Sequence, residues 1–209
     1  MTKFIGIASG KGGVGKTTVA INTSLAINNF DRDTTLLDAN LSTPHVSIHL
    51  GAPLSPITLH NVLKGQNSLT EATYIHPSGL KIIPSSISLD EIDELNPRKL
   101  SNLLFKQDLG ELVIIDMPPG SDRIDNIRSL IPELAGVVEI TIPSLLSQHI
   151  VSKSITKNNK MKVPIIGLIE NMAGYTCPHC EKEGPLFNGD DVESLAKKKN
   201  IPYLGKIPF

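Results

Sequence analysis

Short apolar runs rich in β-branched residues alternate with helical patterns along most of the chain. The first run, Phe4–Ala8, is followed by apolar positions at helical spacing from about Lys16 onwards. Strands that alternate with helices in this way predict an α/β fold, with a mostly parallel sheet covered by helices on both faces. Further strands are predicted at 34–37, 80–83, 112–115, 137–142, 163–169 and 203–204, and helices at 59–63, 89–95, 98–106, 124–134, 147–157 and 191–199.

Length and composition are those of an ordinary globular protein. The 209 residues are expected to form a single domain, 1–209, with 20 Lys and Arg against 21 Asp and Glu. So balanced a charge gives no sign of nucleic acid or an anionic membrane as partner. No apolar stretch approaches the roughly 18 residues that span a bilayer. The first strand begins at the N-terminus and leaves no room for a signal peptide, so we expect a cytoplasmic protein.

The most specific motif lies between the first strand and the first helix. Its spacing from Gly10 to Thr17 fits the phosphate-binding pattern G-x-x-x-x-G-K-[ST]. The glycines let successive N–H groups point into one concavity at a helix N-terminus. Lys16 is expected to reach the β- and γ-phosphates and Thr17 to offer its hydroxyl to Mg²⁺. The loop residues predicted to hold a nucleoside triphosphate are Gly10, Lys11, Gly12, Gly13, Val14, Gly15, Lys16, Thr17 and Thr18.

Two aspartates follow predicted strands directly. Asp38 ends the strand at 34–37, and Asp116 ends the strand at 112–115. The carboxyl ends of parallel strands meet at one edge of a sheet, where carboxylates can act on Mg²⁺ and an attacking water. With Lys11 and Lys16, these aspartates are the candidate catalytic residues for hydrolysis.

A second lysine in the loop, Lys11, gives the sequence KGGVGKT, which resembles the MinD, ParA, nitrogenase iron protein and Mrp group of ATPases. That resemblance implies a nucleotide-sandwich homodimer in which Lys11 contacts the nucleotide of the other subunit. The sequences DMPPG from Asp116 and ENMAGYTCPHC from Glu170 resemble more narrowly the Mrp/ApbC-type ATPases, which carry iron–sulfur clusters to recipient apo-proteins.

The same resemblance implies roles for three residues outside the loop. Asp38 would belong to the first switch, near the water and the metal, and Asp116 would hold Mg²⁺ through water. Asn171, placed just past a strand, would read the adenine edge and so select ATP over GTP.

Cys177 and Cys180 form a Cys-x-x-Cys in a predicted loop at about 174–185. Two thiolates are half of a Cys₄ site, and a homodimer would bring four together around a bridging [4Fe–4S] cluster or a zinc ion. Thiolates suit both metals, so the sequence leaves the two open. A redox pair and two structural cysteines are the remaining alternatives.

Some segments depart from the Mrp pattern. Asn40 stands where such relatives usually have aspartate, which predicts slower hydrolysis. Residues 41–50 and 59–89 look closer to archaeal MinD-like proteins, so a MinD/ParA-like switch for positioning or regulation is the alternative function. The chain ends at Phe209 without the amphipathic tail by which MinD proteins bind membranes, and no membrane partner is expected.

Two clusters are interpreted as structural. The acidic residues 90–94 form the polar face of a predicted helix. His45 and His49 are four apart, a spacing that can bind metal on a helix, but they are expected in a loop with no third ligand nearby.

Overall fold

The described residues of the computed structural model separate into two compact units. The first unit comprises the described residues within Met1–Ile7, Thr17–Pro118 and Asp122–Ala135, and the second those within Ala8–Lys16, Pro119–Ser121 and Gly136–Phe209. The structure describes residues 2–41, 44–51, 55–86, 103–104, 107–118, 120 and 134–209.

The first unit is built on parallel strands made from the apolar runs. Their order is β1-β5-β2-β4-β3, with every pair parallel except the antiparallel pair β3–β4. Each residue of β2 is buried, as expected for a strand covered on both faces. The strands are β1 (Lys3–Ala8), β2 (Thr34–Asp38), β3 (Tyr74–Ile75), β4 (Lys81–Ile83) and β5 (Leu112–Asp116).

Helices α1 (Lys16–Asn29), α2 (Val46–His49) and α3 (Leu59–Lys64) connect these strands. The start of α3 is fixed by the Asn61 carboxamide, which accepts a hydrogen bond from the N–H of Thr58 at 2.9 Å. Its end is fixed by Gly65, whose φ of 77° lets the chain leave the helix in the left-handed conformation.

The second unit contains three parallel strands in the order β10-β7-β6, and a separate two-stranded hairpin. Helices α4 and α5 pack on β7 through a core of Val151, Ile155, Leu168, Val192 and Ala196. The elements are β6 (Leu134–Thr141, whose last six residues belong to this unit), α4 (Leu145–Lys160), β7 (Ile165–Asn171), β8 (Tyr175–Thr176), β9 (Glu183–Gly184), α5 (Val192–Lys199) and β10 (Tyr203–Ile207).

The predicted α/β class with mostly parallel strands is confirmed, with two local corrections. β7 runs to Asn171, so the asparagine ends the strand and does not follow it. Residues 46–49 form one helical turn where a loop was expected, with His45 at its N-cap. The Cys-x-x-Cys lies in a loop, as predicted, and this loop is the turn of the hairpin β8–β9.

Some predicted elements fall on residues outside the described ranges. The predicted helix at 89–95 lies outside the described residues, as do those at 98–106, apart from 103–104, and at 124–134, apart from Leu134. Leu134 was predicted as the end of a helix and is the first residue of β6. The single-domain assignment stays a prediction. No helix in the described part of the chain is long and apolar enough to cross a membrane.

Candidate functional site: a phosphate loop, a carboxylate pair and a cysteine turn

The glycine-rich loop leaves β1 at its buried carboxyl end. The hydroxyl of Ser9, which is 2% exposed, donates to the carbonyl oxygen of Lys11 at 2.6 Å and closes the first turn. Gly13 and Gly15 have φ values of 75° and 87°, in the left-handed region that L side chains rarely enter. The sequence pattern therefore yields the bent backbone that a phosphate cradle requires.

At two positions of the loop, neighbouring atoms leave no room for any side chain, so glycine is required. A Cβ at Gly10 would lie 2.5 Å from Cγ2 of Ile150 on α4, and one at Gly15 would lie 2.1 Å from Nδ2 of Asn171. Real Cβ atoms do not approach other heavy atoms this closely, so a side chain at either position would displace its neighbour. The loop is thus seated against α4 and the end of β7.

Asn171 holds the loop in place from the end of β7. Its buried side chain donates from Nδ2 to the carbonyl oxygen of Val14 at 2.8 Å. This contact gives Asn171 a loop-anchoring position that the sequence did not reveal. Recognition of adenine by the same side chain stays a prediction.

Lys16, the lysine of the phosphate loop, is buried, with 8% of its surface exposed. Its positive charge acts on a second buried group, the carboxylate of Glu139 in the middle of β6. Burial raises the pKa of Glu139 to about 7, against the lowering effects of hydrogen bonds from Ser154 and Asn158 and of the charge of Lys16. Glu139 was not among the predicted site residues, although a lone glutamate inside the apolar run 137–142 is a signal visible in the sequence.

In the first unit, α1 and β5 bring together the two residues predicted to hold Mg²⁺. The hydroxyl of Thr17 donates to Oδ2 of Asp116 at 2.7 Å. Asp116, the last residue of β5, is 1% exposed. A hydroxyl and a carboxylate oxygen side by side are hard ligands of the kind that Mg²⁺ prefers.

Asp38 ends the neighbouring strand and stands in register opposite Asp116. Its side chain is fully buried and accepts hydrogen bonds from the N–H groups of Asn40 at 3.0 Å and Val46 at 3.3 Å. Burial raises the pKa of Asp38 to about 8, the charge of Asp116 adds to this, and the backbone N–H groups oppose it. Two adjacent buried carboxylates suit a divalent cation, whose charge would relieve their mutual repulsion.

The cysteines lie in the turn of the hairpin β8–β9. The N–H of Cys177 donates to Lys182 O at 3.0 Å, and the N–H of Glu181 donates to Cys177 O at 2.8 Å. Glu181 has a φ of 57°, which turns the chain back after Cys180. Neither cysteine is in a disulfide; Cys177 is half-buried and Cys180 is exposed.

The backbone of this turn favours a thiolate at Cys177. Hydrogen bonds from the N–H groups of His179 and Cys180, and then from the Cys180 thiol, lower the pKa of Cys177 below its usual value. N–H groups that point at one sulfur are suited to a metal-bound thiolate, because a bound thiolate keeps its negative charge. Among the described residues, no group of three or more His, Cys, Asp or Glu side chains could hold a metal ion.

Comparisons with known proteins agree with this geometry. The family model of ParA, described as NUBPL iron-transfer P-loop NTPase, matches residues 1–209. An iron–sulfur cluster carrier protein of Methanococcus maripaludis is 32% identical over 216 residues, covering 98% of this chain and 72% of that protein. A cytosolic Fe–S cluster assembly factor NUBP2 homolog of Dictyostelium discoideum is 35% identical, covering 97% of this chain and 79% of its own length.

The fold has a solved counterpart. The septum site-determining protein MinD of Pyrococcus horikoshii, complexed with Mg-ADP, superposes with a TM-score of 0.80 at 28% identity, covering 100% of this chain and 82% of that one. These similarities confirm the resemblance that the loop and the cysteine motif indicated in the sequence.

Proposed function

Because the chain belongs to the ParA family of NUBPL iron-transfer P-loop NTPases, we propose that it is an ATP-binding, slowly hydrolysing homodimeric carrier. In this proposal the dimer binds a bridging [4Fe–4S] cluster as its cargo and transfers the cluster to apo-proteins. A cytoplasmic location is part of the proposal, since free thiols persist in a reducing compartment.

The loop supplies the phosphate site. Its backbone N–H groups and Lys16 bind the β- and γ-phosphates, and Lys11 acts across the dimer on the partner's nucleotide. The Thr17 hydroxyl and, through water, Asp116 would hold Mg²⁺, which would supply positive charge beside the phosphates. The carboxylate of Asp38 orients the attacking water. Asn171 anchors the loop through Val14, and in this proposal it also recognises adenine.

Hydrolysis is expected to be slow because the first switch has one carboxylate fewer. Asn40 is buried at 5% exposure, two residues after Asp38, and its N–H donates to the Asp38 carboxylate. The carboxamide of Asn40 brings no negative charge to the metal. Phosphoryl transfer depends on how charge is neutralised and positioned, so this loss lowers the rate more than the affinity.

The observation that carries the cargo assignment is the cysteine turn. Two thiols lie on one tight turn whose N–H groups stabilise a thiolate at Cys177. Each chain has two cysteines, and a [4Fe–4S] cluster takes four. Two copies related by a twofold axis supply that number.

Surface features of the second unit favour such a dimer. Lys11 is half-buried, and its side chain has no hydrogen-bond or ion-pair partner in the part of the chain that the structure describes. Leu145 and Leu146, at the start of the helix that touches the loop through Ile150, are each 59% exposed. Two exposed leucines on a helix that contacts the loop, and a loop lysine without a partner among the described residues, suit a protein surface better than water.

The test is anaerobic reconstitution with iron and sulfide, followed by the visible spectrum and the iron content per dimer. The carrier proposal predicts a broad charge-transfer band and about four irons per dimer. The matched control is the double variant Cys177→Ser/Cys180→Ser, which keeps the turn and removes the thiolates. Wild-type protein that stays colourless, or a double variant that takes up and transfers cluster normally, would overturn the proposal.

A MinD/ParA-like nucleotide switch for positioning or regulation is the second candidate, with zinc or no metal in the cysteine turn. It is favoured by the likeness to MinD at a TM-score of 0.80. Zinc in place of iron, at one ion per dimer, would support it. Dimerisation that is independent of nucleotide would count against it.

A further inference from the structure

His45 and His49 lie together on the exposed side of α2. His45 is the N-cap, and the N–H of His49 donates to the His45 carbonyl oxygen at 3.0 Å, so the two residues are one helical turn apart. Both residues are exposed, and their ring centroids are 6.4 Å apart. The pair was interpreted as structural because a loop was expected there. The helical turn removes that reason, since histidines four apart on one helix face can bind the same metal ion.

A hydrogen bond fixes which nitrogen of His49 is available. Nδ1 of His49 lies 2.9 Å from the carbonyl oxygen of His45. A carbonyl oxygen can only accept, so Nδ1 carries the proton and, in the neutral ring, Nε2 carries the lone pair. Metal-binding histidines commonly have this arrangement, in which a backbone carbonyl orients the ring and the other nitrogen binds the ion. His49 thus has the tautomer of a metal ligand, and the His45 ring lies beside it at an interplanar angle of 83°.

We propose that His45 and His49 bind one divalent transition-metal ion, such as Zn²⁺, on the surface of the first unit. Imidazole nitrogen suits Zn²⁺, Cu²⁺ and Ni²⁺, whereas Mg²⁺ prefers oxygen ligands, so this site differs in chemistry from the proposed Mg²⁺ site. In the part of the chain that the structure describes, no third His, Cys, Asp or Glu joins the pair. Water therefore completes the coordination, as in other sites with open positions.

The ion acts on the backbone that supports Asp38. Val46 lies between the two histidines, and its N–H donates to Oδ2 of Asp38 at 3.3 Å. A helix of four residues has too few internal hydrogen bonds to be stable in water by itself. An ion that joins the two ends of this turn opposes its unwinding and keeps the Val46 N–H at the carboxylate. The site exists whether or not the chain binds a nucleotide.

The test is calorimetric titration of Zn²⁺ at pH 7.5 into the Cys177→Ser/Cys180→Ser protein, because the thiolates would otherwise compete for zinc. One ion should bind per chain. In this background His45→Ala and His49→Ala should each weaken binding at least about tenfold, the lower end of what a lost supporting group costs a metal site. The matched control is His149→Ala, which removes an exposed histidine of α4 that has no histidine four residues away. It should bind Zn²⁺ like its parent.

A second measurement separates this site from incidental binding to surface histidines. Zn²⁺ should slow amide exchange of the Val46 N–H in the cysteine-free parent and leave it unchanged in His49→Ala, because only a bridged turn is held closed. Equal Zn²⁺ affinity in the parent and both histidine variants would overturn the inference. So would exchange at Val46 that Zn²⁺ does not slow in the parent. Failure of the protein to bind ADP would overturn the nucleotide site and leave these zinc measurements unaffected.

Discussion

Gly15 and Asn171 show how single atoms determine the shape of the phosphate loop. The Asn171 amide occupies the space that a Gly15 side chain would fill, and it hydrogen-bonds to the carbonyl of the residue before. The positive φ at Gly15 adds a second reason for glycine. At Gly13 only the backbone reason applies, since a Cβ there meets no atom within 4 Å. Substitutions at Gly13 and Gly15 can therefore be compared to separate the backbone effect from the effect of the Asn171 contact.

Gly15→Ala should destabilise the protein more than Gly13→Ala. Both pay the backbone penalty of about 1–2 kcal/mol for an L residue in the left-handed region. Only Gly15→Ala also displaces a buried hydrogen bond, for about 1–3 kcal/mol more. Urea unfolding of the ligand-free variants measures both values. Equal losses of unfolding free energy would mean that the Asn171 contact is not rigid.

Glu139 should make stability depend on pH. Its pKa is raised from 4.5 to about 7, so between these values the folded state holds a proton that the unfolded state has lost. Its contribution is therefore present below pH 4.5 and is lost as pH rises to about 7, at up to ~1.4 kcal/mol per pH unit. Asp38 titrates in the same direction, so the comparison is wild type against Glu139→Gln. The variant should gain relative stability across this window; parallel pH profiles would contradict the assignment.

At the scale of secondary structure, the hairpin β8–β9 presents both thiols on a turn that its backbone stabilises. Residues 173 and 174 are bonded to β10 and to the second residue after it: the Ala173 N–H donates to Ile207 O at 2.9 Å, and the Phe209 N–H donates to Gly174 O at 2.8 Å. Beyond these ties the two strands have two residues each. The cysteine turn therefore lies at the end of a short hairpin, and the residues that lead into this hairpin are hydrogen-bonded to the C-terminal segment.

Glu181→Gly should stabilise the closed hairpin β8–β9. Glycine adopts the φ of 57° at position 181 without strain, so the closed hairpin should gain about 0.5–1 kcal/mol. Glu183→Gly, two residues on in β9, is the control, and it should weaken the hairpin because glycine in a strand loses more entropy. Amide exchange of the Cys177 N–H, which bonds to Lys182 O, reports the opening directly. Faster exchange in Glu181→Gly would show that the turn is not strained.

The elements that could be predicted from the sequence are those with a strong local pattern. The strands β2 and β5 came from continuous apolar runs, and the phosphate loop from a spacing in which every residue type has a physical reason. The hairpin β8–β9 could not be predicted, because two-residue strands are too short for a period. Glu139 was missed because its partners, Ser154 and Asn158, are 15 and 19 residues away and meet it only in the fold.

At the scale of the whole molecule, the proposed chemistry needs two chains. One chain supplies one phosphate loop, one carboxylate pair and two thiols. Asp38 and Asp116 belong to the first unit, and the cysteine turn belongs to the second. Lys11 also belongs to the second unit. In the proposed homodimer, ATP is shared through Lys11 and the cluster through the cysteines, so dimerisation links nucleotide binding and cluster binding.

Lys11→Ala should abolish ATP-dependent dimerisation and leave ATP binding to the single chain nearly intact. Lys11 makes no ion pair in the described chain, so its loss should not unfold the protein. Light scattering after size-exclusion chromatography, with and without ATP, measures the dimer. The control Lys160→Ala removes an exposed lysine at the carboxyl end of α4, away from the loop and the cysteine turn in sequence, and should dimerise like wild type. Normal ATP-dependent dimers of Lys11→Ala would exclude the role across the interface.

The hydrogen bond from Asn171 to Val14 also sets a limit on reach. Cys177 follows Asn171 by six residues, and six residues of fully extended chain span at most about 20 Å. The backbone of Cys177 in each protomer therefore stays within that radius of the carboxyl end of β7, where its own phosphate loop is anchored, and Cys180, nine residues from Asn171, stays within about 30 Å. In the proposed dimer, the cysteine pairs can meet on the twofold axis only if the axis passes within that reach of both β7 ends. The short segment between Asn171 and the cysteines thus limits where a cluster shared by the two protomers can lie.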